Sequence, residues 1–437
     1  MADWPTVRLG DHVDLHVGFA FKSREFTDEP EDIRLVRGAN IGQGTLKWDQ
    51  KRRFPAERYD EFEKYHLRPG DVVLAMDRPW IDAGLKWAVV SKDEVPTLLV
   101  QRVARLRGTQ TLVHEFVRYV IGSPEFEAYV QPIVTGVNVP HISGSQIEDF
   151  RFQLPPVKAQ KEIASLLGTF DKLIENNRRR IEILEEMARL IYREWFVHFR
   201  FPGHEDVELV DSDLGPVPEG WEVFSLERLQ SATPNAIAAG PFGSKLGRKD
   251  YVDEPGVPVI RGANLRVGGG FVDEGFVYVS SEKAETLTSS YARPGDVVVT
   301  QRGTLGQVGL IPDSARFDEY VLSQSQMKFT ADVERVDPLV AYMQLATTEG
   351  TRRIQDIATG SGVPHINLTM FRELKFRAPP RSIQSEFTAV VGPMEQLGIC
   401  LNRQNRTLTE ARDLLLPRLI SGELDVSDLD LDLDPVA

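Results

Sequence analysis

Two long segments of the chain place apolar residues at alternating steps of four and three. In 159–199 these positions are 163, 167, 170, 174, 181, 184, 188, 191 and 195, with Asn177 filling the one gap. Segment 381–424 repeats the steps less regularly, with Gly398, Asn405 and Arg412 as interruptions. This spacing is typical of a coiled-coil seam. We predict two long helices packed against each other in an antiparallel pair, with Asn177 and Asn405 fixing the register.

A different pattern precedes each helical segment, where short runs of β-branched residues are bounded by Pro, Gly and Asp. Such runs predict strands, and they are "DVVLAM" (71–76), "KWAVVS" (86–91), "TLLVQRVARL" (97–106), "DVVVTQ" (296–301), "VGLIP" (308–312) and "SQMKFT" (325–330). Short helices are expected at 111–121, from Ser123 and Pro124, and from Asp337 and Pro338, where a capping residue precedes proline.

Several phrases occur twice at nearly one shift. "RGAN" stands at 37–40 and 261–264, "RPGDVV" at 68–73 and 293–298, and "VPHI" at 139–142 and 363–366. The chain is therefore an internal duplication, with a period far too long for a solenoid of roughly 20–50-residue repeats. We predict an α+β fold with two mixed β-rich domains, separated by the helix pair and related by an approximate two-fold axis. The predicted boundaries are 1–156 for the first domain, 157–200 for the central helix, 201–220 for an acidic linker, 221–380 for the second domain, 381–424 for the distal helix and 425–437 for an acidic, disordered tail.

Composition narrows the class of protein. The 437 residues are 41% hydrophobic and 27% charged, as in ordinary globular proteins. No apolar run is long enough for a membrane span, and the start does not resemble a signal peptide, so a cytoplasmic protein with no membrane partner is expected. Cys400 is the single cysteine, which excludes an internal disulfide and a cysteine-based zinc cluster.

The net charge of −14 argues against a nucleic-acid binder only if its distribution is ignored. Segment 200–220 has six acidic residues and one basic residue, and 425–437 has five Asp and no basic residue. These two segments hold −10 of the −14. The folded halves are close to neutral, and each can carry a basic face.

The ordered motifs resemble the specificity subunits of type I restriction–modification systems. "GFAFKS" (18–23) and "GPFGSKL" (240–246) resemble the openings of two target-recognition domains. "REWFVHFRFPG" (193–203) resembles the end of the family's central conserved helix, "DSDLGPVPEGW" (211–221) its linker, and "LLLPRLISGEL" (414–424) the close of its distal helix.

The resemblance implies a subunit without catalysis or a cofactor of its own. It implies assembly with two methyltransferase subunits, which use S-adenosylmethionine to methylate adenine N6, and with restriction subunits, which use ATP and Mg. Each recognition domain would read one half of a bipartite double-stranded DNA target, and the helix pair would set the gap and dock the methyltransferases.

Candidate DNA-binding residues are polar or basic side chains in Gly- and Pro-containing loops, because Arg and Lys contact guanine or phosphate and Asn and Gln contact adenine. They are Lys22, Arg24, Arg37, Asn40, Arg78, Ser244, Lys245, Arg261, Asn264, Gln301 and Arg302. A structural role is the slightly favoured alternative for Arg37 and Arg261, because both halves share "RGAN". The divergent loops 75–86 and 300–309 are better candidates for discrimination, and their difference predicts an asymmetric target.

Two other sets of residues leave alternatives open. Trp195, Phe196 and Phe199 at the end of the first long helix either dock a methyltransferase or pack against the neighbouring domain. His141 and His365 are either structural, which is favoured, or in contact with DNA, and the scattered His residues offer no spacing for metal ligands.

Three other functions are alternatives to this interpretation. A self-contained methyltransferase would need an Asn before the Pro-Pro pairs, which "QLPPV" (153–157) and "RAPPR" (377–381) lack. A duplicated scaffold that does not bind DNA, and a specificity subunit for a fused methyltransferase–nuclease, both stay open.

Overall fold

The structure, a computed structural model, describes residues 4–48, 51–81, 84–134, 140–253, 256–360 and 362–424. The chain divides into two units, Met1–Asn177 with Arg403–Ala437, and Arg178–Asn402. The two long helices are Val157–Phe196 and Arg381–Ile420, and each contributes one half to each unit. The acidic tail proposed at 425–437 lies outside the described residues.

The first unit is built from short strands followed by helices. Its strands are β1 (Thr6–Arg8), β2 (Val13–Val17), β3 (Ile33–Val36), β4 (Gln43–Gly44), β5 (Arg53–Phe54), β6 (Val72–Ala75), β7 (Trp80–Ile81), β8 (Gly84–Leu85), β9 (Trp87–Val89), β10 (Thr97–Leu99), β11 (Val103–Gly108) and β12 (Arg151–Gln153). Its helices are α1 (His114–Ile121), α2 (Pro124–Val134), α3 (Gly144–Glu148) and the first half of α4 (Val157–Phe196).

The second unit repeats this succession after a short hairpin. Its strands are β13 (Leu209–Val210), β14 (Val217–Pro218), β15 (Glu222–Ser225), β16 (Ile237–Ala239), β17 (Tyr251–Val252), β18 (Val257–Ile260), β19 (Arg266–Val267), β20 (Val277–Val279), β21 (Tyr291–Ala292), β22 (Val297–Thr300), β23 (Gln307–Leu310), β24 (Tyr320–Leu322), β25 (Gln326–Phe329) and β26 (Lys375–Ala378). Its helices are α5 (Leu226–Leu229), α6 (Ser281–Glu285), α7 (Pro338–Ala346), α8 (Thr348–Asp356), α9 (Leu368–Glu373) and the first half of α10 (Arg381–Ile420).

Sheet topology confirms the duplication. The first unit has a five-stranded sheet in the order β2-β11-β6-β9-β4, and the second has β16-β25-β22-β23-β19 in the corresponding order. In each unit a second sheet contains one parallel pair, β10 with β3 and β24 with β18. The fold is α+β, with two mixed β-rich domains, as predicted.

The repeated "RPGD" phrase builds the same buried charge in both units. Asp71 and Asp296 are almost fully buried, and each accepts a hydrogen bond from the backbone N–H of the arginine three residues earlier. Arg107 then pairs with Asp71, with Nε–Oδ1 at 2.5 Å, and Lys328 pairs with Asp296, with Nζ–Oδ2 at 2.9 Å. A buried carboxylate needs such compensation because desolvation disfavours its charge. The phrase is therefore a folding element.

A second repeated element lies at the start of each long helix. The side chain of Gln160 accepts the Val113 N–H at 2.7 Å and donates to the carbonyl oxygens of Thr111 and Pro155 at 2.9 and 2.8 Å. Gln384 accepts the Asp337 N–H at 2.7 Å and donates to the Arg335 and Pro379 oxygens at 3.0 and 2.8 Å. Both glutamines are fully buried. Each one joins its long helix to the domain before it.

The predicted seam of the long helices is buried. In the first unit Ile163 and Leu167 of α4 share a core with Leu416 and Leu419 near the end of α10. In the second unit the end of α4 packs on Phe387 and Val391, near the start of α10. The halves in each unit therefore run antiparallel, as predicted.

The polar interruptions of the seam differ in their contacts. Arg412 is held by Asp171 of α4 at 2.8 Å, and Asp171 also pairs with Arg118 at 3.0 Å. Asn177 is buried, whereas Asn405 is half-buried. Their role in fixing the register stays a prediction.

The predicted strand 97–106 is two strands rather than one. β10 and β11 are separated by a turn in which Arg102 has a left-handed φ of +64°. A residue with positive φ cannot continue a β-strand, so the strand ends at this turn although apolar residues stand on both sides of it.

In the aromatic cluster at the end of α4, one residue predicted to dock a methyltransferase is buried instead. Phe196 is 1% exposed and contacts Phe387 and Trp221, with ring centroids at 4.8 and 5.7 Å. Its side chain is thus part of the core of the second unit and is not available to a partner. Trp195 and Phe199 are half-buried and lie against Phe387 and Trp221. The geometry therefore supports packing of these aromatic residues within the second unit rather than docking of a methyltransferase.

Candidate nucleic-acid interface

Five loop segments meet at one edge of the sheets in each unit, joined by equivalent backbone hydrogen bonds. In the first unit Gly18 N–H donates to Val103, Val100 to Val36, Met76 to Arg102, Arg78 to Pro140 and Ile142 to Met76. In the second unit Gly240 donates to Gln326, Ser323 to Ile260, Gln301 to Ser325, Gly303 to Pro364 and Ile366 to Gln301. Each pair of bonds is related by a shift of about 224 residues, so the same edge is built twice.

We call these two sets of segments the loop edges. The first loop edge comprises 18–25, 36–40, 76–80, 99–102 and 140–142, and the second comprises 240–247, 260–264, 301–305, 323–325 and 364–366. A glycine is required where each edge begins. A Cβ on Gly18 would lie 2.2 Å from the Val100 oxygen, and one on Gly240 would lie 1.8 Å from the Ser323 oxygen.

Both loop edges are positively charged in a chain that is negative as a whole. The first has five basic and two acidic residues, and the second has three basic residues and no acidic one, so each is +3 with histidine neutral. Glu25, one of the two acids, pairs with Arg58 at 3.0 Å, and the resulting hydrogen bond lowers the pKa of its carboxyl. Clustered positive charge is what a phosphate backbone attracts.

The structure brings all the predicted DNA-binding residues to these two edges, but with different exposure. Lys22, Arg24, Arg78, Ser244, Lys245 and Arg302 are exposed. Arg37, Arg261 and Gln301 are half-buried. Asn40 and Asn264 are fully buried.

The two asparagines are therefore not base-reading residues. The Asn40 side chain accepts the Arg37 N–H at 3.3 Å and donates to the Lys47 oxygen at 3.0 Å. Asn264 accepts the Arg261 N–H at 3.0 Å and donates to the Glu274 oxygen at 2.8 Å. Their amide groups close the loop in which they lie, which explains why both copies keep "RGAN".

The half-buried candidates have partly structural surroundings. Burial lowers the pKa of the Arg37 guanidinium, although arginine stays charged in proteins. Arg261 donates to the Gly275 oxygen at 3.3 Å, and the Gln301 amide donates to the Gln324 oxygen at 2.8 Å. Because of these contacts, fewer N–H groups of Arg261 and Gln301 are available to DNA than the sequence suggested.

Sequence reasoning missed a charged cluster on the first loop edge. Asp77 accepts from Arg102 at 2.6 Å and lies 2.5 Å from Nδ1 of His141. The structural interpretation of His141 agrees with this contact. In the second copy Arg302 lies opposite His365 in the same backbone pairing. The charge sign at this place is therefore reversed between the copies.

Other kinds of site are missing from the part of the chain that the structure describes. Within those residues no three His, Cys, Asp or Glu side chains are grouped to hold a metal ion. Nor does any described helix have the length and apolarity to cross a bilayer.

Comparison with known proteins decides the family. The model of the type I restriction modification DNA specificity domain matches residues 111–186 and 218–406, which is more than half of the chain. The chain belongs to this family of type I specificity proteins. The resemblance inferred from the motifs is confirmed, and a recognition component is favoured over an enzyme.

Individual relatives differ in how much they share. The chain is 37% identical to the EcoAI specificity subunit of Escherichia coli over an aligned segment of 173 residues. This segment covers 39% of this chain and 28% of that relative's length. It is 21% identical to the HindI specificity subunit of Haemophilus influenzae, over 97% of this chain and all of that relative. The crystal structure of the S subunit of a type I restriction–modification system from M. genitalium is similar in fold, with 14% identity, a TM-score of 0.56 and 96% of both chains covered.

Proposed function

We propose that this type I specificity protein reads a bipartite double-stranded DNA sequence, with each loop edge contacting one half. The observation that carries the proposal is the doubled loop edge, which joins the same five segments in both units and has a charge of +3 each time. Six of the predicted DNA-binding side chains are exposed on these edges, and they supply contacts to phosphates and bases. Because the exposed residues differ between the copies, the two half-sites differ in sequence.

The chemistry belongs to partner subunits. In this proposal two methyltransferase subunits methylate adenine N6 with S-adenosylmethionine, and restriction subunits supply an ATP- and Mg-dependent nuclease. This chain contributes recognition, and no catalytic step is assigned to its residues.

Exposed leucines on the long helices are the docking points that we assign to the methyltransferases. Leu190 of α4 and Leu397 of α10 are both 39% exposed in the second unit. The corresponding residues 224 positions away, Leu414 and Leu173, are 72% and 46% exposed in the first unit. Each unit therefore exposes one leucine from each helix at equivalent places, which suits two copies of one partner. Apolar anchors of this kind dominate protein interfaces.

This docking assignment replaces the buried Phe196 and is tested by stoichiometry. Leu190→Glu and Leu414→Glu should each reduce the complex from two methyltransferase subunits to one, and the double variant should abolish assembly, as measured by multi-angle light scattering. Glu186→Gln, an exposed change on α4, is the control. Retention of two subunits by the double variant would show that the partner docks elsewhere.

DNA reading is tested by altering one loop edge at a time. The chain is produced with the methyltransferase of its own locus, and methylated adenines are mapped by sequencing. Lys22→Ala with Arg24→Ala should relax or weaken one half of the target, and Lys245→Ala with Arg302→Ala the other half. If either pair of changes altered both halves alike, or if no bipartite target were found, the proposal would be wrong.

The helix pair is proposed to set the gap between the half-sites. Seven residues added at matching places in α4 and α10 keep the seam in register and lengthen the pair by about 10 Å. That length corresponds to about three base pairs. A mapped target with an unchanged gap would remove this part of the proposal.

A further inference from the structure

Phe242 is the most exposed large apolar side chain among the described residues, with 84% of its surface accessible. It lies in the first segment of the second loop edge, just before the turn Gly243–Lys245. An exposed phenylalanine forgoes the stabilisation that burial of its ring would supply. Its position on a basic edge makes this exposure informative, because an isolated exposed apolar side chain elsewhere on a protein surface is ordinary.

The backbone around Phe242 is fixed on both sides. Pro241 before it and Leu246 after it are buried, and Leu246 belongs to the core formed with Val259 and Val279. The side-chain amide of Gln324 donates to the carbonyl oxygens of both Gly243 and Leu246. The ring is therefore held away from the core by a braced turn.

The surroundings of Phe242 are those of a phosphate-binding surface. Ser244, Lys245, Arg248 and Lys249 are all exposed within seven residues of it, and the second loop edge contains no acidic residue. An acidic protein surface would also complement the positive charge of this edge. DNA, which is already proposed to bind here, complements the same charge and requires no additional partner. Apolar side chains beside basic residues are used by DNA-binding proteins as wedges between base pairs.

The other copy has no aromatic side chain at the corresponding position, and its partly exposed Phe19 is only 38% accessible, with its ring packed against those of Phe21 and Phe62. Counting from the equivalent glycines, Gly18 and Gly240, the residue that corresponds to Phe242 is Ala20. Ala20 is also exposed, so the place is open in both units. The aromatic ring was therefore not needed for folding of this segment.

We propose that Phe242 inserts its ring at a base step of the half-site read by the second unit and partly unstacks it. The inference rests on the proposed function and adds a means of recognition that the first unit lacks. Because pyrimidine–purine steps unstack most readily, this half-site would favour a TA or CA/TG step at the insertion point. Lys245 and its basic neighbours would hold the flanking phosphates.

The test uses the specificity chain assembled with its methyltransferase subunits and a duplex that carries the mapped target. 2-Aminopurine is placed in turn at each base of the second half-site, because its fluorescence rises when it is unstacked. The native complex should show a rise at one step, and Phe242→Ala should lose the rise and bind about 5- to 150-fold more weakly, the range measured for loss of a stacking aromatic. Phe242→Leu, which keeps an apolar side chain at this position, should retain much of the fluorescence rise and much of the DNA affinity.

Two controls separate this inference from the proposed function. Lys245→Ala should weaken binding and reduce the salt dependence by about one ion, whereas Phe242→Ala should leave the salt dependence unchanged. If Lys245→Ala weakens binding and Phe242→Ala does not, DNA reading stands and the wedge is refuted. If Phe242→Ala instead reduces assembly with the methyltransferase, the ring contacts protein and the inference is equally refuted.

Discussion

Replacement of Arg78 by glycine is expected to weaken DNA binding without lowering the stability of the first unit. Arg78 has a left-handed φ of +44°, and the residue at the same place in the second copy is Gly303, with φ of +97°. The N–H groups of both donate to a proline carbonyl, at 2.8 and 3.3 Å. The left-handed conformation costs a residue with a Cβ about 1–2 kcal/mol. An exposed arginine is thus kept where glycine would fit with less strain.

The magnitude follows from three contributions. Arg78→Gly removes about 1–2 kcal/mol of strain and adds about 0.5–1 kcal/mol of backbone entropy to the unfolded chain. Little packing is lost, because the side chain is exposed. The free energy of unfolding should therefore be unchanged or raised by up to about 1.5 kcal/mol. DNA affinity should fall by about 1–3 kcal/mol if Arg78 reads a base, or mainly lose one ion of salt dependence if it holds a phosphate.

Two measurements separate these effects. Hydrogen exchange of the amides in β6 and β11 reports the stability of the first unit, and fluorescence anisotropy over a range of salt concentrations reports DNA binding by the assembled complex. Arg78→Asn is the matched variant, because asparagine tolerates the left-handed region and lacks the charge. A loss of stability with unchanged DNA affinity for both variants would show that Arg78 is structural and would refute the reasoning.

Three further predictions concern buried groups of the second unit. Gln384→Leu leaves three buried backbone groups without their partner and should destabilise the unit by on the order of 3 kcal/mol in urea unfolding, whereas exposed Gln396→Leu should not. Phe196→Ala should cost about 3–5 kcal/mol in the same assay, because the ring is fully packed; a change confined to partner binding would contradict this. Burial, with the Glu185 carboxylate nearby, raises the pKa of Glu395 from 4.5 to about 7, against a smaller opposing effect of Arg189. Because the folded-state pKa is the higher one, this carboxyl favours folding most below pH 4.5 and loses the contribution as pH rises through 7, by about 1–3 kcal/mol for a half-buried group. Glu395→Gln should remove that part of the pH dependence between pH 5 and 8, and an unchanged profile would show that Glu395 titrates normally.

The helix seam and the strands were predictable because their signals are local. A heptad pattern specifies which side chains share a face, and burial of Ile163, Leu167, Ile174 and Ile181 follows directly from it. Turns that depend on one backbone angle were less visible. Nothing in the residue type of Arg102 marks it as left-handed, so the strand through it appeared continuous.

The predicted DNA-binding residues lie together on the two loop edges, but their contacts indicate different roles for them. Lys, Arg and Asn in glycine-containing loops are suited both to DNA contact and to capping of the loop itself. Burial distinguishes the two uses, and burial depends on contacts distant in sequence. The amide of Asn40 makes it a candidate for contact with a base, but in the structure this amide donates to the Lys47 carbonyl oxygen. The docking role predicted for Phe196 was wrong for the same reason, because a docking patch and part of a core can have the same composition.

Comparison of equivalent residues in the two copies separates residues needed for folding from residues proposed to read the DNA sequence. Several residues that the copies share are buried and bonded to backbone, as for Gln160 and Gln384 or Asp71 and Asp296, whereas the shared His141 and His365 are exposed. Four of the pairs that differ on the loop edges are exposed in at least one copy: Ala20 against Phe242, Arg78 against Gly303, Asp77 against Arg302 and Arg102 against Ser325. Folding constrains both copies alike, because both must close the same five-segment edge. Reading two different half-sites requires difference, and the difference is concentrated where solvent, and in the proposed complex DNA, reaches the chain.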